Sequence, residues 1–417
     1  MPQSRPRVSE VFTPRRANVN PAMYIERPQH ERDLKRAIGG SLHAILCGES
    51  GSGKSWLYKH VADVEGWRTF YANAGNAARY NSLTRTIDLA VRDHDEREVV
   101  EFSQELGAEA KAFGFGGSGK AGRKYDVKKR EILLEAFKAA RIKAERKIAV
   151  LVIDNLEAIF SKPQLMEELG NIILLLDDPD YARHDIRMLI VGVPSEVVEY
   201  YQRIENLEPV TNRVTELPAL TSLNWGQIED FVQRGYVGHL KITLSATQIK
   251  EIALHVADVT LGIAQRLHEY CEILGHNIED SEWSFDSSLL DVSDRQFLSS
   301  CLKKAYTVVN GCMNERKTKT GRRNQVLFAL GKIKPSEFDV REVETMVRDE
   351  FPVTTSDTTL AIGQMMAELS EGAAPLLRRS PKGSIYRFSD PRYLMCIRVM
   401  LRKRASDESV IRATLRR

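Results

Sequence analysis

Residues 48–55 read GESGSGKS and fit the pattern G-x-x-x-x-G-K-[ST] without a gap. Gly48, Gly51 and Gly53 let the backbone turn tightly. The N–H groups of Gly48, Glu49, Ser50, Gly51, Ser52 and Gly53 can then converge on phosphate oxygens at a helix N-terminus, whose dipole favours negative charge. Lys54 supplies a compact positive charge for the β and γ phosphates, and Ser55 a hydroxyl for Mg²⁺. Trp56, the next residue, completes the candidate nucleotide-binding set. ATP with Mg²⁺ is the ligand this chemistry serves. A second acid belongs with it: the apolar run 148–153 (IAVLVI) ends in Asp154, where a buried parallel strand would deliver a carboxylate to the ligand edge of a sheet and so to the metal. Three residues on, Glu157 either polarises an attacking water or caps the turn that follows.

These residues need strands and helices in alternation. Residues 42–47 (LHAILC) and 68–73 (RTFYAN) read as strands on either side of a helix beginning at Ser55. A helix follows through Leu83, Ile87 and Val91, and a charged amphipathic helix over 127–147 leads into the 148–153 strand. Residues 163–178 read as a helix, 187–193 as a buried strand, and 210–220 as the last core strand, with Arg213 at its entrance. The fold class expected is α/β, with a parallel sheet around a phosphate loop.

The chain has 417 residues, too many for one ordinary core. No apolar run approaches the ~20 residues of a membrane helix, and the Pro- and Arg-rich start lacks the apolar stretch of a secretory signal. Five cysteines without a C-x-x-C pair fit a reducing compartment, so the expected location is cytoplasmic and no membrane partner is expected. Net charge is only +3, but unevenly spread. Residues 111–147 hold twelve Lys or Arg against four acids, and 378–417 hold twelve against three. Such blocks suggest basic surfaces that meet nucleic acid, or else solvated helix faces and a frayed tail.

Six segments follow: an extended basic arm over 1–20, the phosphate-loop core over 21–221, a helical lid over 222–280 with helices at 225–232, 245–256 and 262–274, a linker and helix over 281–323, a winged helix over 324–402, and a basic tail over 403–417. The winged-helix reading rests on helices at 324–330, 340–351 and 358–369, a hairpin about a Pro-Lys-Gly turn at 376–388, and a closing helix at 391–402. Arg378, Arg379, Lys382 and Arg387 on that hairpin suit DNA phosphates. The glycine-rich stretch with Phe113 and Phe115, leading into the basic segment from Lys120 to Lys129, offers a second contact. The third helix carries no Lys or Arg, so a protein-binding winged helix stands beside the DNA-binding one.

In this order, phosphate loop, acid-tipped strand, arginine, helical lid and winged helix resemble the initiator branch of AAA+ ATPases, the origin-recognition proteins and their relatives in transposition and defence. The D-x-x-E segment Asp154–Glu157 looks like a variant found in STAND-like and archaeal-type ATPases. The resemblance implies catalytic roles for Lys54, Glu157 and Arg213, the last as a finger reaching a neighbouring subunit's γ-phosphate in a homo-oligomer. It places Tyr24 and Ile25 at the adenine, Ser195 at the sensor 1 strand tip, and Gln265 where the sensor 2 arginine is usual, with Arg266 one step on. The function it implies is a nucleotide-controlled DNA-binding switch that hydrolyses ATP slowly. The alternative is a STAND-type signalling ATPase whose winged helix binds a protein effector.

Overall fold

The computed structural model describes residues 5–92, 118–192, 197–202, 207–314, 321–334, 336–356, 359–380 and 383–412, with backbone alone over 118–129. The chain divides into two compact units, one formed by Ala17–Val19 and Glu26–Thr221, the other by Met1–Arg16, Asn20–Ile25 and Ser222–Arg417.

The first unit is built on five parallel strands: β1 (His43–Cys47), β2 (Arg68–Asn73), β3 (Ala149–Asp154), β4 (Ile186–Gly192) and β5 (Val214–Glu216), in the order β2-β3-β4-β1-β5. Side chains alternate between the faces of a strand, and both faces here are covered. Ile45, Cys47, Leu151, Ile153, Met188 and Ile190 enter one core, while Ala44, Leu46, Val150, Val152, Leu189 and Val191 enter the other. Two-sided burial is why these strands read as unbroken apolar runs. The helix Lys54–Val64 covers the second face through Leu57, Tyr58 and Val61.

β5 is shorter than the expected 210–220 strand. Residues Glu208–Asn212 form a 3₁₀ turn, and Leu217 is followed by Pro218. Pro209 and Pro218 have no N–H for a ladder, so the regular ladder with β1 covers three residues, beyond which Leu217 N and Leu220 N still donate to the Ile45 and Cys47 carbonyls at 2.9 and 2.8 Å.

The second unit has one continuous core running from Val8 to Leu401. It contains the helices Trp225–Val232, Ala246–Thr260 and Ala264–Asp280, the first continuing as a π-helical turn over Gln233–His239. The stretch expected as linker and helix holds two helices, Ser288–Ser300 and Lys303–Cys312. The extended arm is a correction. Residues Val8–Val11 form a helical turn, and Val8, Val11 and Phe12 are fully or almost fully buried. A methyl group on Gly235 would stand 2.5 Å from the Phe12 ring, and one on Gly275 2.7 Å from Val8, so those two glycines are notches for the N-terminal turn.

The C-terminal part carries helices Arg322–Lys332, Val340–Glu350 and Ile362–Glu368, then strands β7 (Leu377–Arg379) and β8 (Ile385–Phe388) and helix Pro391–Met400. With β6 (Phe338–Asp339) the strands form an antiparallel sheet in the order β6-β8-β7. The residues expected as a tail begin with a hairpin of β9 (Leu401–Lys403) and β10 (Val410–Arg412). Among the described residues no helix is long and apolar enough to cross a membrane.

Each unit holds a neutral, buried histidine. His43 accepts from Met188 N at 3.3 Å, and burial together with Arg187 lowers its pKa to about 4. His268 accepts from Thr13 N at 3.1 Å, and burial lowers its pKa to about 3. Against an ordinary value of 6.5, the unfolded chain binds more protons than the folded one between pH 6.5 and about 4. Stability is therefore full above pH 6.5 and lost as pH falls, by about 3 kcal/mol for His43, and by more for His268, whose window runs on down to about pH 3. Melting curves across this range are expected to drop steeply for the wild type and less steeply for His43→Gln. An unchanged slope in the variant would assign the acid lability to other groups.

Candidate functional site

The phosphate loop leaves β1 at Gly48, whose neighbour Cys47 accepts at its carbonyl from Leu220 N at 2.8 Å. A methyl group on Gly48 would stand 2.7 Å from the Leu220 carbonyl oxygen, so only glycine passes there. Gly53, in the left-handed region at φ 101°, turns the chain into the helix Lys54–Val64. The Lys54 ammonium donates to the carbonyls of Gly48 at 2.7 Å and Glu49 at 2.9 Å. Burial lowers its pKa, opposed by the carboxylates of Glu157 and Asp154. The Ser52 hydroxyl is buried inside the loop with no hydrogen-bond partner among the described residues.

Asp154 stands at the C-terminal end of β3, in step with Val150 and Val152 and so on the face covered by the helix Lys54–Val64. Ser55 and Tyr58 are three residues apart on that helix and share one side of it. Ser55 Oγ lies 3.4 Å from Asp154 Oδ2, and the Tyr58 hydroxyl donates to the same oxygen at 2.9 Å. The other oxygen, Oδ1, accepts from Asn155 N at 2.8 Å. Asn155 has φ 62°, a left-handed conformation that asparagine tolerates better than glutamate. That turn accounts for asparagine directly after Asp154. It leads into the short 3₁₀ helix Leu156–Ala158, which leaves Glu157 exposed at the rim.

The structure thus brings Lys54, Ser55, Asp154 and Glu157 together around the loop, with Trp56 partly buried in the helix's first turn. Arg213 is elsewhere. It precedes β5, and its carbonyl accepts from His43 N at the start of β1, so it sits one strand length, about 16 Å, from Gly48. Its side chain pairs with Asp177 at 2.6 Å and donates to the Pro209 carbonyl at 2.8 Å. Tyr24 belongs to the other compact unit, where it is buried and its carbonyl accepts from Arg234 Nη1 at 2.8 Å. Gln265 and Arg266 both bond to the buried carboxylate of Glu269, at 2.9 Å and 2.5 Å. Ser195, Lys382, Phe113 and Phe115 and the side chains of Lys120 to Lys129 lie outside the described residues.

Two residues escaped the sequence reading. Arg27, 9% exposed, donates to the Thr221 carbonyl at 2.9 Å and reaches the Ser52 carbonyl at 3.5 Å, so it braces the loop from behind. Its signal was an arginine placed directly before Pro28, which opens the helix Pro28–Gly39. Tyr58 is the i+3 neighbour of Ser55, but nothing in the sequence ties it to Asp154, 96 residues away.

These residues fit a Mg²⁺–nucleotide. Among the described residues the loop offers an unpartnered buried hydroxyl and an ammonium held by loop carbonyls, and a serine hydroxyl and a carboxylate oxygen face one another across the site. Residues 37–200 match the sequence model of a family described as AAA domain. The fold is the P-loop AAA+ fold. The chain is similar to the Walker-type ATPase of Pyrococcus abyssi, with a TM-score of 0.51, 12% identity, and 93% of this chain and 99% of that one covered. The ORC2 protein of Aeropyrum pernix matches with a TM-score of 0.49 and 14% identity over 93% of this chain and 96% of that one. For Cdc6p of Pyrobaculum aerophilum the values are 0.45, 13%, 94% and 97%. A search of curated proteins gives no match.

The described part of the C-terminal hairpin carries exposed arginines. Arg378 and Arg387 are direct cross-strand partners, and neither makes an ion pair among the described residues. Arg379 donates to the Gly383 carbonyl and lies over the Tyr386 ring at 5.8 Å. The helix Ile362–Glu368 presents no cation, and its Glu368 pairs with Arg323 at 3.2 Å.

Proposed function

We propose that the protein is a slow, Mg²⁺-dependent ATPase whose nucleotide state sets its hold on duplex DNA. The observation that carries this reading is the convergence of the Ser55 hydroxyl and the Asp154 carboxylate beside Lys54, at the C-terminal edge of a parallel sheet. Mg²⁺ bound with ATP supplies charge neutralisation on the transferring phosphoryl group. Ser55 and Asp154 would hold it. Lys54 exchanges two loop carbonyls for phosphate oxygens, and Glu157, exposed at the rim, orients the attacking water. Arg213, a strand length from its own loop, serves a neighbouring copy's nucleotide in a homo-oligomer. Slow turnover is expected because Asn155, not a glutamate, directly follows Asp154.

For DNA, the supporting feature is the bare pair Arg378 and Arg387, set on a three-helix and three-strand arrangement with the element order of a winged helix. The neutral to acidic helix Ile362–Glu368 argues for backbone contact without base reading. The five free thiols suit a cytoplasmic location.

The test is the ATPase rate and oligomeric mass of the purified protein, with and without duplex DNA, at two salt concentrations. DNA-stimulated, salt-sensitive turnover with assembly is the expected result. Arg213→Ala should leave ATP affinity unchanged and lower the turnover of the assembled form about a thousandfold, the scale of a missing arginine finger. Normal turnover in that variant would remove the finger role. Tight nucleotide binding with indifference to DNA would turn the reading toward a signalling ATPase with a protein effector.

A further inference from the structure

We infer that Tyr58 is a positioning residue for metal binding, its phenol O–H holding the Asp154 carboxylate in the orientation in which Asp154 and Ser55 receive Mg²⁺ together. The inference rests on the ATPase reading above and adds to it a residue outside the phosphate-loop pattern.

An ionised carboxylate accepts about four hydrogen bonds. Asn155 N–H takes one site on Oδ1, and the Tyr58 hydroxyl takes one on Oδ2. The Asn155 bond is local and leaves the Oδ2 side unanchored. Ser55 Oγ, at 3.4 Å, is at the outer limit of hydrogen bonding and is a weak anchor. Tyr58 at 2.9 Å is thus the firm donor on the side facing Ser55, and it leaves acceptor capacity for the metal and its water shell.

The phenol is itself well fixed. Tyr58 is 2% exposed, packed in the core beneath the sheet face that carries Val150 and Val152. Its ring centre lies 6.0 Å from that of Tyr71, which β2 pairs with Val152 of β3. The hydroxyl has one proton to give and gives it to the carboxylate, while Ser55 is its other side-chain partner, so its direction toward Asp154 is set, which is the property a positioning residue needs.

Mn²⁺, visible by electron paramagnetic resonance, is the probe. It is titrated into the full-length protein with saturating non-hydrolysable ATP analogue, while analogue binding without metal and the melting temperature are recorded in parallel. In Tyr58→Phe the Mn²⁺ dissociation constant is expected to rise about tenfold, the scale of one hydrogen bond to a charged group, with metal-free analogue binding unchanged. 4-Methylphenylalanine at position 58 fills the hydroxyl's volume without a donor and is expected to match the Phe variant. It serves in its place if the Phe variant is poorly folded. 4-Aminophenylalanine restores a donor and is expected to stay within about threefold of the wild type. Mn²⁺ affinity within twofold of the wild type in both donor-free variants overturns the assignment, even if the melting temperature falls, because Tyr58 would then only anchor the helix. A wild-type protein that binds neither the analogue nor Mn²⁺ would instead sink the ATPase reading as a whole.

Discussion

Lys54→Ala is expected to weaken ATP binding on the order of a hundredfold or more and to abolish hydrolysis. The ammonium lies inside the loop, held by two of its backbone carbonyls at 2.7 Å and 2.9 Å. Exchanging neutral carbonyls for phosphate oxygens replaces ordinary hydrogen bonds with charge-assisted ones, each about twice as strong. Two such contacts at about 1.5 kcal/mol or more each give the stated factor. Burial already depresses the Lys54 pKa, so the site charges a cost for holding the ammonium that an anionic ligand relieves. Lys54→Arg is a useful companion, because its planar fork does not fit a cradle shaped for a point charge, and it should fail to rescue. Calorimetric titration reads both variants. Near-normal ATP affinity in Lys54→Ala would place the nucleotide elsewhere and remove the basis of the metal-site argument with it.

The site was largely legible before the fold was known, because its residues are local in sequence or tied to strand ends. The loop pattern fixes Gly48 to Ser55, and a strand buried on both faces cannot hide as a different element. Its terminal acid, Asp154, therefore had one place to go. What escaped depends on contacts between distant segments. Tyr58 and Asp154 are 96 residues apart, and Arg27 and Thr221 194 apart. No periodicity encodes such pairs. The N-terminal turn was missed for another reason: Val8, Val11 and Phe12 have helical i, i+3, i+4 spacing, but the surrounding Arg and Pro gave the stretch the composition of a solvated arm. Its glycine notches, Gly235 and Gly275, lie more than 200 residues away. The truncation of β5 was readable in principle from Pro209 and Pro218. The roles of Arg213 and Tyr24 came from resemblance: Arg213 lies a strand length from the loop of its own unit, and Tyr24 belongs to the other unit.

Arg387→Glu is expected to move stability and DNA affinity in opposite directions, and this separates a nucleic-acid surface from a solvated one. Arg378 and Arg387 are paired across β7 and β8, both exposed, with no acid between them among the described residues. Like charges directly opposite on a sheet face are unfavourable, whereas an opposite-charge pair contributes roughly 0.2–1 kcal/mol. A hairpin selected for its own stability would not keep two facing arginines. Glutamate at 387 should therefore raise the melting temperature slightly while converting Arg378 into half of an ion pair. If the two guanidiniums grip phosphates, the same change removes one contact and neutralises the other. The slope of log K against log salt should then shrink by about 2, at roughly 0.9 per phosphate contact, and affinity at low salt should fall by about a hundredfold. Fluorescence anisotropy with a labelled duplex of arbitrary sequence, repeated across a salt series, measures both quantities. Loss of affinity with an unchanged slope would point to a folding defect, and unchanged affinity would take the hairpin out of the DNA surface. Because the helix Ile362–Glu368 offers no cation, the lost affinity should be the same for any duplex sequence, as expected when positioning and not base reading is removed.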